Sequence, residues 1–147
     1  MTYQHTQHAP LYRLLFVMAL VFAVIGSGLA GVTPVGRVFT IVALVIVALA
    51  FCFKTLTVQD ERTHLAIRYG PVPVFAMRLA YAEMTAAKRA RSTFIDGWGI
   101  HWVPGRGWTY NLWGRDCVEI RLGDKIVRVG TDDADELVRF LQSKLGA

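Results

Sequence analysis

Apolar and polar positions follow two different rules on either side of Lys54. Before it, Leu14 to Val32 is an uncharged run of 19 residues, and at the helical rise it covers roughly 28 Å, about the hydrocarbon thickness of a bilayer. Val38 to Phe53 is a second run of 16 residues, long enough to cross if the stems of Arg37 and Lys54 reach out to the two interfaces. Each run holds 11 Leu, Ile, Val or Phe residues. At the usual increment per residue, these favour insertion by roughly 3–7 kcal/mol per helix.

The connector Thr33-Pro34-Val35-Gly36-Arg37 is too short for anything but a tight antiparallel hairpin, so both ends of the hairpin emerge on one side. Arg13, Lys54, Arg62 and Arg68 flank that side, against Arg37 alone on the other. The positive-inside tendency therefore puts both termini in the cytoplasm, with Arg13, Arg37 and Lys54 as interface anchors. Gly28-Leu29-Ala30 resembles a signal-peptide cleavage pattern, but the first run exceeds the usual signal length and the second follows too closely to act independently. Ala23, Ser27 and Gly31 recur every four residues, the spacing of a close helix–helix contact. Residues 1–13 read as a polar, disordered tail, 14–53 as the transmembrane hairpin and 55–147 as a separate domain.

After Lys54 the alternation is that of strands broken by Gly, Pro and Asp. Leu65, Ile67 and Tyr69 form one inward row, and Phe75, Met77 and Leu79 another. Trp98, Ile100 and Trp102 follow, then Trp108, Tyr110 and Leu112, then Val118, Ile120 and Leu122. Gly123-Asp124 turns the chain into a last strand from Lys125 to Val129. The residues then change to helical spacing: Leu137, Val138, Phe140, Leu141 and Leu145 make one apolar stripe. Thr131 or Asp132 can cap this helix, Asp132, Asp133, Asp135 and Glu136 suit its N-terminus, and Lys144 suits its last turn. The expected fold is a two-helix membrane hairpin followed by a β-rich barrel of about seven antiparallel strands, capped by a C-terminal helix.

Several segments resemble the bacterial pleckstrin-homology-like domains of small membrane proteins. They are Leu79-Ala80-Tyr81-Ala82-Glu83-Met84, Asp96-Gly97-Trp98-Gly99-Ile100, Gly107-Trp108-Thr109-Tyr110-Asn111, Cys117-Val118-Glu119-Ile120 and Val129-Gly130-Thr131-Asp132-Asp133. The resemblance covers most of residues 55–147 and none of the spans. It implies a seven-stranded, strongly bent sheet with a C-terminal helix, beside membrane helices at the bacterial inner membrane. It implies no reaction and no phosphoinositide site, because the Gly70-Pro71-Val72-Pro73 loop carries no Lys or Arg.

Composition narrows the function classes. Of 147 residues 54% are hydrophobic and only 18% charged, which excludes a disordered chain, and two cysteines exclude a disulfide scaffold. Cys52 in a span and Cys117 in a strand read as free thiols. From Lys54 onward 14 basic and 11 acidic residues leave +3, too little for a nucleic-acid surface. No nucleophile elbow, zinc motif or phosphate loop is present, and the sequence names no cofactor. His5, His8, His64 and His101 read as tail or strand residues, and the acidic run at 132–136 as helix capping instead of a metal site.

Two features point to contacts. Lys88, Arg89 and Arg91 could attract anionic lipid by about 1 kcal/mol each. Trp113, at a glycine corner, is a candidate partner or membrane contact if exposed, whereas Trp98, Trp102, Trp108 and Tyr110 are expected in the core. The leading expectation is a non-enzymatic module that binds a protein partner or itself at the cytoplasmic membrane face. Anionic-lipid sensing is the alternative, and an acid–base site of His101, Asp96 and Glu119 comes third.

Overall fold

A computed structural model describes residues 2–29, 34–93 and 98–146. Strand β1 (Gln4–His8) leads directly into helix α1 (Leu11–Leu29), which pairs with α2 (Pro34–Cys52). Both helices are long and apolar enough to cross a membrane. They begin earlier than the apolar runs suggest: α1 takes in Tyr12 and Arg13, and α2 starts on Pro34, whose fixed φ and missing N–H suit a first helical position. Gly36 and Arg37, expected in the connector, lie in its first turn.

The helix contact repeats every seven residues and not every four. Ala19 and Gly26 are buried on α1, and Gly36, Ala43 and Ala50 on α2. This is the seam of a left-handed pair. Ala23 and Ser27 face outward instead, and Gly31 lies outside the described residues. Gly26 is required at its position: a Cβ there would sit 2.6 Å from Thr40 Oγ1 and 2.9 Å from the Thr40 nitrogen. Phe22 stacks on Phe39, and Phe16 meets Phe51 edge-on, one pair toward each end of the seam.

The rest of the chain is two sheets and a helix. The first sheet has the order β1-β2-β3-β4, with β2 at Thr55–Asp60, β3 at His64–Gly70 and β4 at Ala76–Ala80. A 3-10 turn at Tyr81–Glu83 leads to β5 (Met84–Arg91). The second sheet has the order β5-β8-β9-β7-β6, with β6 at Gly99–Val103, β7 at Gly107–Asn111, β8 at Asp116–Leu122 and β9 at Lys125–Gly130. Helix α3 (Ala134–Leu145) closes the chain.

Three sequence expectations need correction. The described residues form nine strands, not seven, because two more precede the expected set: Thr55–Asp60 is β2, and the tail is β1, laid antiparallel on β2 with Gln4 opposite Gln59 and His8 opposite Thr55. The sheets are not wholly antiparallel, since β7 runs parallel to β9 with Trp108 opposite Val127. The barrel does not close: among the described strands β4 is hydrogen-bonded only to β3, and β6 only to β7.

The core lies between the sheets and under α3. Leu56, Val58, Leu65, Ile67 and Tyr69 of the first sheet meet Val118, Ile120, Val127 and Val129 of the second, with Leu137, Phe140 and Leu141 of α3. Gly107 allows β7 and β9 to approach: its φ is +76° and a Cβ would fall 1.9 Å from the Ile126 carbonyl oxygen. At the start of α3, Asp133 holds the cap position without a capping bond from its side chain to the helix, and the Thr131 hydroxyl accepts the Asp133 N–H at 3.0 Å. Asp135 and Glu136 occupy the first turn, and Lys144 the last.

The acidic residues before the helix also pin β1. The Tyr3 hydroxyl donates to Asp133 at 3.2 Å, and His5 Nε2 lies 2.5 Å from Asp132 Oδ1. Tyr3 stacks on Phe140 of α3, so an N-terminal strand with little apolar pattern of its own is held by the C-terminal helix.

Candidate functional site

The alternation of β6 and β7 places Ile100, Trp102, Trp108 and Tyr110 on one face, since Ile100 opposes Tyr110 and Trp102 opposes Trp108. That face points toward the first sheet, yet β4 does not reach it. A groove is left between them. One end, of about 270 Å³, is lined by Ile67, Tyr69, Val74, Phe75, Met77, Ile100, Trp108 and Tyr110. The other, of about 980 Å³, takes in Trp102, Trp108 and Met77 with Arg78, Glu83, Asp124 and Lys125 around it. Trp102 is 58% exposed and Trp108 47%. The expectation that Trp98, Trp102 and Trp108 are core residues therefore fails: the sheet that would have covered Trp102 and Trp108 stops at β4, and Trp98 lies against Trp113 at the hairpin end of the domain.

Chemically, the groove is an aromatic floor with strands whose outer edges are unpaired on both sides. Unpaired edges carry backbone donors and acceptors that an extended peptide can complete. Burial pushes the Tyr110 hydroxyl above its ordinary value, so it stays neutral at physiological pH.

The basic cluster is placed differently from a free cationic patch. Lys88 Nζ lies 3.2 Å from Glu119, Arg89 bonds Asp135 at 2.9 Å and reaches Asp116 at 3.4 Å, and Arg91 lies 3.5 Å from Asp116. Three cations thus face three carboxylates. Glu119 is buried, and burial pushes its pKa up, but hydrogen bonds from Arg128 at 2.7 Å and from Lys88 more than offset this and hold the carboxyl below its usual value. The sequence could not show these pairs, because the acids arrive from β8 and α3.

His101 and Glu119 are not brought together. Register across the second sheet sets them on β6 and β8 with β7 and β9 between, about 14 Å apart at the usual strand spacing. Asp96 lies outside the described residues. No group of three or more His, Cys, Asp or Glu that could hold a metal occurs among the described residues. Cys52 and Cys117 are buried, and neither is in a disulfide.

A second set of residues gathers where the hairpin meets the sheets. Lys54 Nζ sits 5.3 Å and Arg13 Cζ 5.9 Å from the Tyr12 ring, so these two anchors share one end of the hairpin. Arg37 is exposed in the first turn of α2, at the other end. Phe53 stacks on Phe75 at 5.3 Å and meets Tyr69 edge-on at 5.1 Å. Trp113 stacks on Trp98 with centroids 4.7 Å apart, and its carbonyl accepts a bond from the buried Gln7 amide. Trp98 in turn lines an apolar crevice with Leu11, Leu15, Leu49, Phe53 and Leu112.

No protein-family model matches the chain, and no curated protein does either.

Proposed function

We propose that this chain is a non-enzymatic, membrane-anchored adaptor whose β domain takes an extended segment of a protein partner, or of a second copy, in the groove between β4 and β6. The observation that carries the reading is an open aromatic groove flanked by two strands that lack an outer neighbour among the described residues. A strand added to either edge completes backbone hydrogen bonds, and alternate side chains of the partner find Trp102, Trp108, Met77 and Tyr110. Among the described residues His101 and Glu119 are set far apart, and no nucleic-acid partner is implied by the charge.

Two apolar helices support anchoring in a membrane, and the excess of Arg and Lys at the end carrying both termini supports a cytoplasmic domain at a bacterial inner membrane. The segments quoted above, two sheets and a C-terminal helix are consistent with a pleckstrin-homology-like domain that has a longer first sheet. The pairing of Lys88, Arg89 and Arg91 argues against anionic-lipid sensing through them.

A photo-crosslinking residue in place of Trp102 or Met77, in membranes of cells producing the full chain, tests the adaptor reading. It predicts one adduct of defined mass from both positions and none from Arg121, which is exposed outside the groove. Adducts of twice the chain mass identify a second copy. Equal labelling from Arg121, or none from either groove position, overturns it.

A further inference from the structure

The β domain is fastened to the hairpin twice, and both fastenings are short. Only Ala9 and Pro10 separate β1 from α1, only Phe53 and Lys54 separate α2 from β2, and the Ala9 N–H donates to the Lys54 carbonyl at 3.2 Å. Two extended residues span about 7 Å at most, so this end of the domain stays within that distance of the helix ends.

The surface at that end is apolar. Val74 is 63% exposed, Trp98 52% and Val72 48%, and Phe75 and Trp113 are also exposed. No Asp or Glu occurs in residues 70–77 or 98–114, the two stretches that carry all five. Phe75 is stacked on Phe53, the residue directly after α2. Trp98 shares its crevice with Leu15 and Leu49, each about one helical turn inside the hairpin. Arg13 and Lys54 flank Tyr12 at the same level. Aromatic rings beside basic residues at the ends of apolar helices are the composition of a membrane–water interface.

We propose that Val72, Val74, Phe75, Trp98 and Trp113 are seated in the interface of a phospholipid bilayer, so that the domain is held in one orientation instead of swinging on a tether. This rests on the hairpin being in the membrane. The occupant is lipid because the rim continues the surface of the two apolar helices, and because its five side chains are apolar or aromatic while Arg13 and Lys54 at the same level suit headgroup phosphate. The groove then opens sideways, with its Phe75 end at the membrane and its Trp102 end further out.

The test uses the full chain in phosphatidylcholine nanodiscs containing lipids with a nitroxide near the glycerol. Trp98 is kept as the single tryptophan in one variant and Trp102 in another, the remaining three being Phe. The expected result is quenching of Trp98, just before β6, at least about threefold stronger than of Trp102, four residues further along the chain, and the reverse order with aqueous acrylamide. An environment-sensitive fluorophore on Val74→Cys repeats the measurement at a side chain outside the core, and the buried Cys52 and Cys117 stay unlabelled. The same label on Val45→Cys, mid-way along α2, reports on the hairpin. If Val45→Cys reads lipid while Trp98 and Val74→Cys read water, or Trp98 and Trp102 quench equally, the seating is wrong and the anchoring stands. If Val45→Cys also reads water, both fall.

Discussion

The two flanks of the β domain are built from similar residues and have opposite fates. Under α3, Leu137 and Leu141 are fully buried, and Phe140 is enclosed by Tyr3 and Tyr81. Between β4 and β6, Trp102 and Trp108 have as much apolar area and stay about half exposed. Burial of apolar area is worth about 25 cal/mol per Å², so leaving two tryptophans open forfeits several kcal/mol that a tenth strand or a longer β4 would recover. The covered flank serves stability, and the open one is the groove proposed to take a partner.

The sharpest way to break this comparison is to truncate both sides. Leu137→Ala leaves a cavity under α3 and should lower unfolding free energy by about 2–5 kcal/mol, whereas Trp102→Ala should cost under about 1 kcal/mol while abolishing groove crosslinking from Met77. Denaturant unfolding followed by near-ultraviolet dichroism reads both. Equal losses would make the groove part of the core.

Next in size is Gly107→Ala. A methyl group would run into the Ile126 carbonyl from a backbone at positive φ, and separating β7 from β9 should cost about 2–4 kcal/mol, seen as a lower midpoint in the same titration. Wild-type stability would mean that the parallel β7–β9 pair does not set the groove floor.

Acid should also weaken the covered flank. Burial pushes the Asp60 pKa up, but hydrogen bonds from Tyr81 at 2.8 Å, from Lys144 at 3.2 Å and from the Arg62 N–H hold it below its usual value. A carboxyl depressed in the folded state contributes stability that is complete above its unfolded value of about 3.9 and is lost as pH falls through the folded value. Melting temperature should therefore drop below about pH 4, and Asp60→Asn should flatten that limb. An unchanged limb in Asp60→Asn would show that Lys144 does not tie α3 to β2 by charge.

The smallest effect is expected from replacing Lys88, Arg89 and Arg91 together by Ala. Their pairs are exposed on the basic side, so stability should change by about 1 kcal/mol or less, and binding of the full chain's membranes to anionic vesicles should not change. A clear loss of vesicle binding would restore the lipid role that their carboxylate partners argue against.

What the sequence disclosed follows from which patterns are local. The two apolar runs and the strand alternation from Leu65 to Val129 were legible because period and hydrophobicity are carried by neighbouring residues, and the terminal helix by its stripe and charged ends. Strand β1 was not, because Gln4 to His8 is polar and gains its place from β2, Asp132, Asp133 and Phe140, all distant in sequence. The Thr55-Leu56-Thr57-Val58 alternation was an available sign of β2. The site was only half visible. Alternation correctly grouped Ile100, Trp102, Trp108 and Tyr110, but whether a facing strand covers them depends on where β4 ends, and the partners of Lys88, Arg89 and Arg91 depend on register.

Hydrogen exchange of the β6 edge tests the central claim most directly, comparing the full chain in the membranes where it was made with the same chain purified as a monomer in detergent. Amides of β4 and β6 should exchange at least about tenfold more slowly in the membranes, where the groove is occupied, with those of β2 and β8 unchanged. Equally fast exchange at β4 and β6 in both preparations would contradict the account.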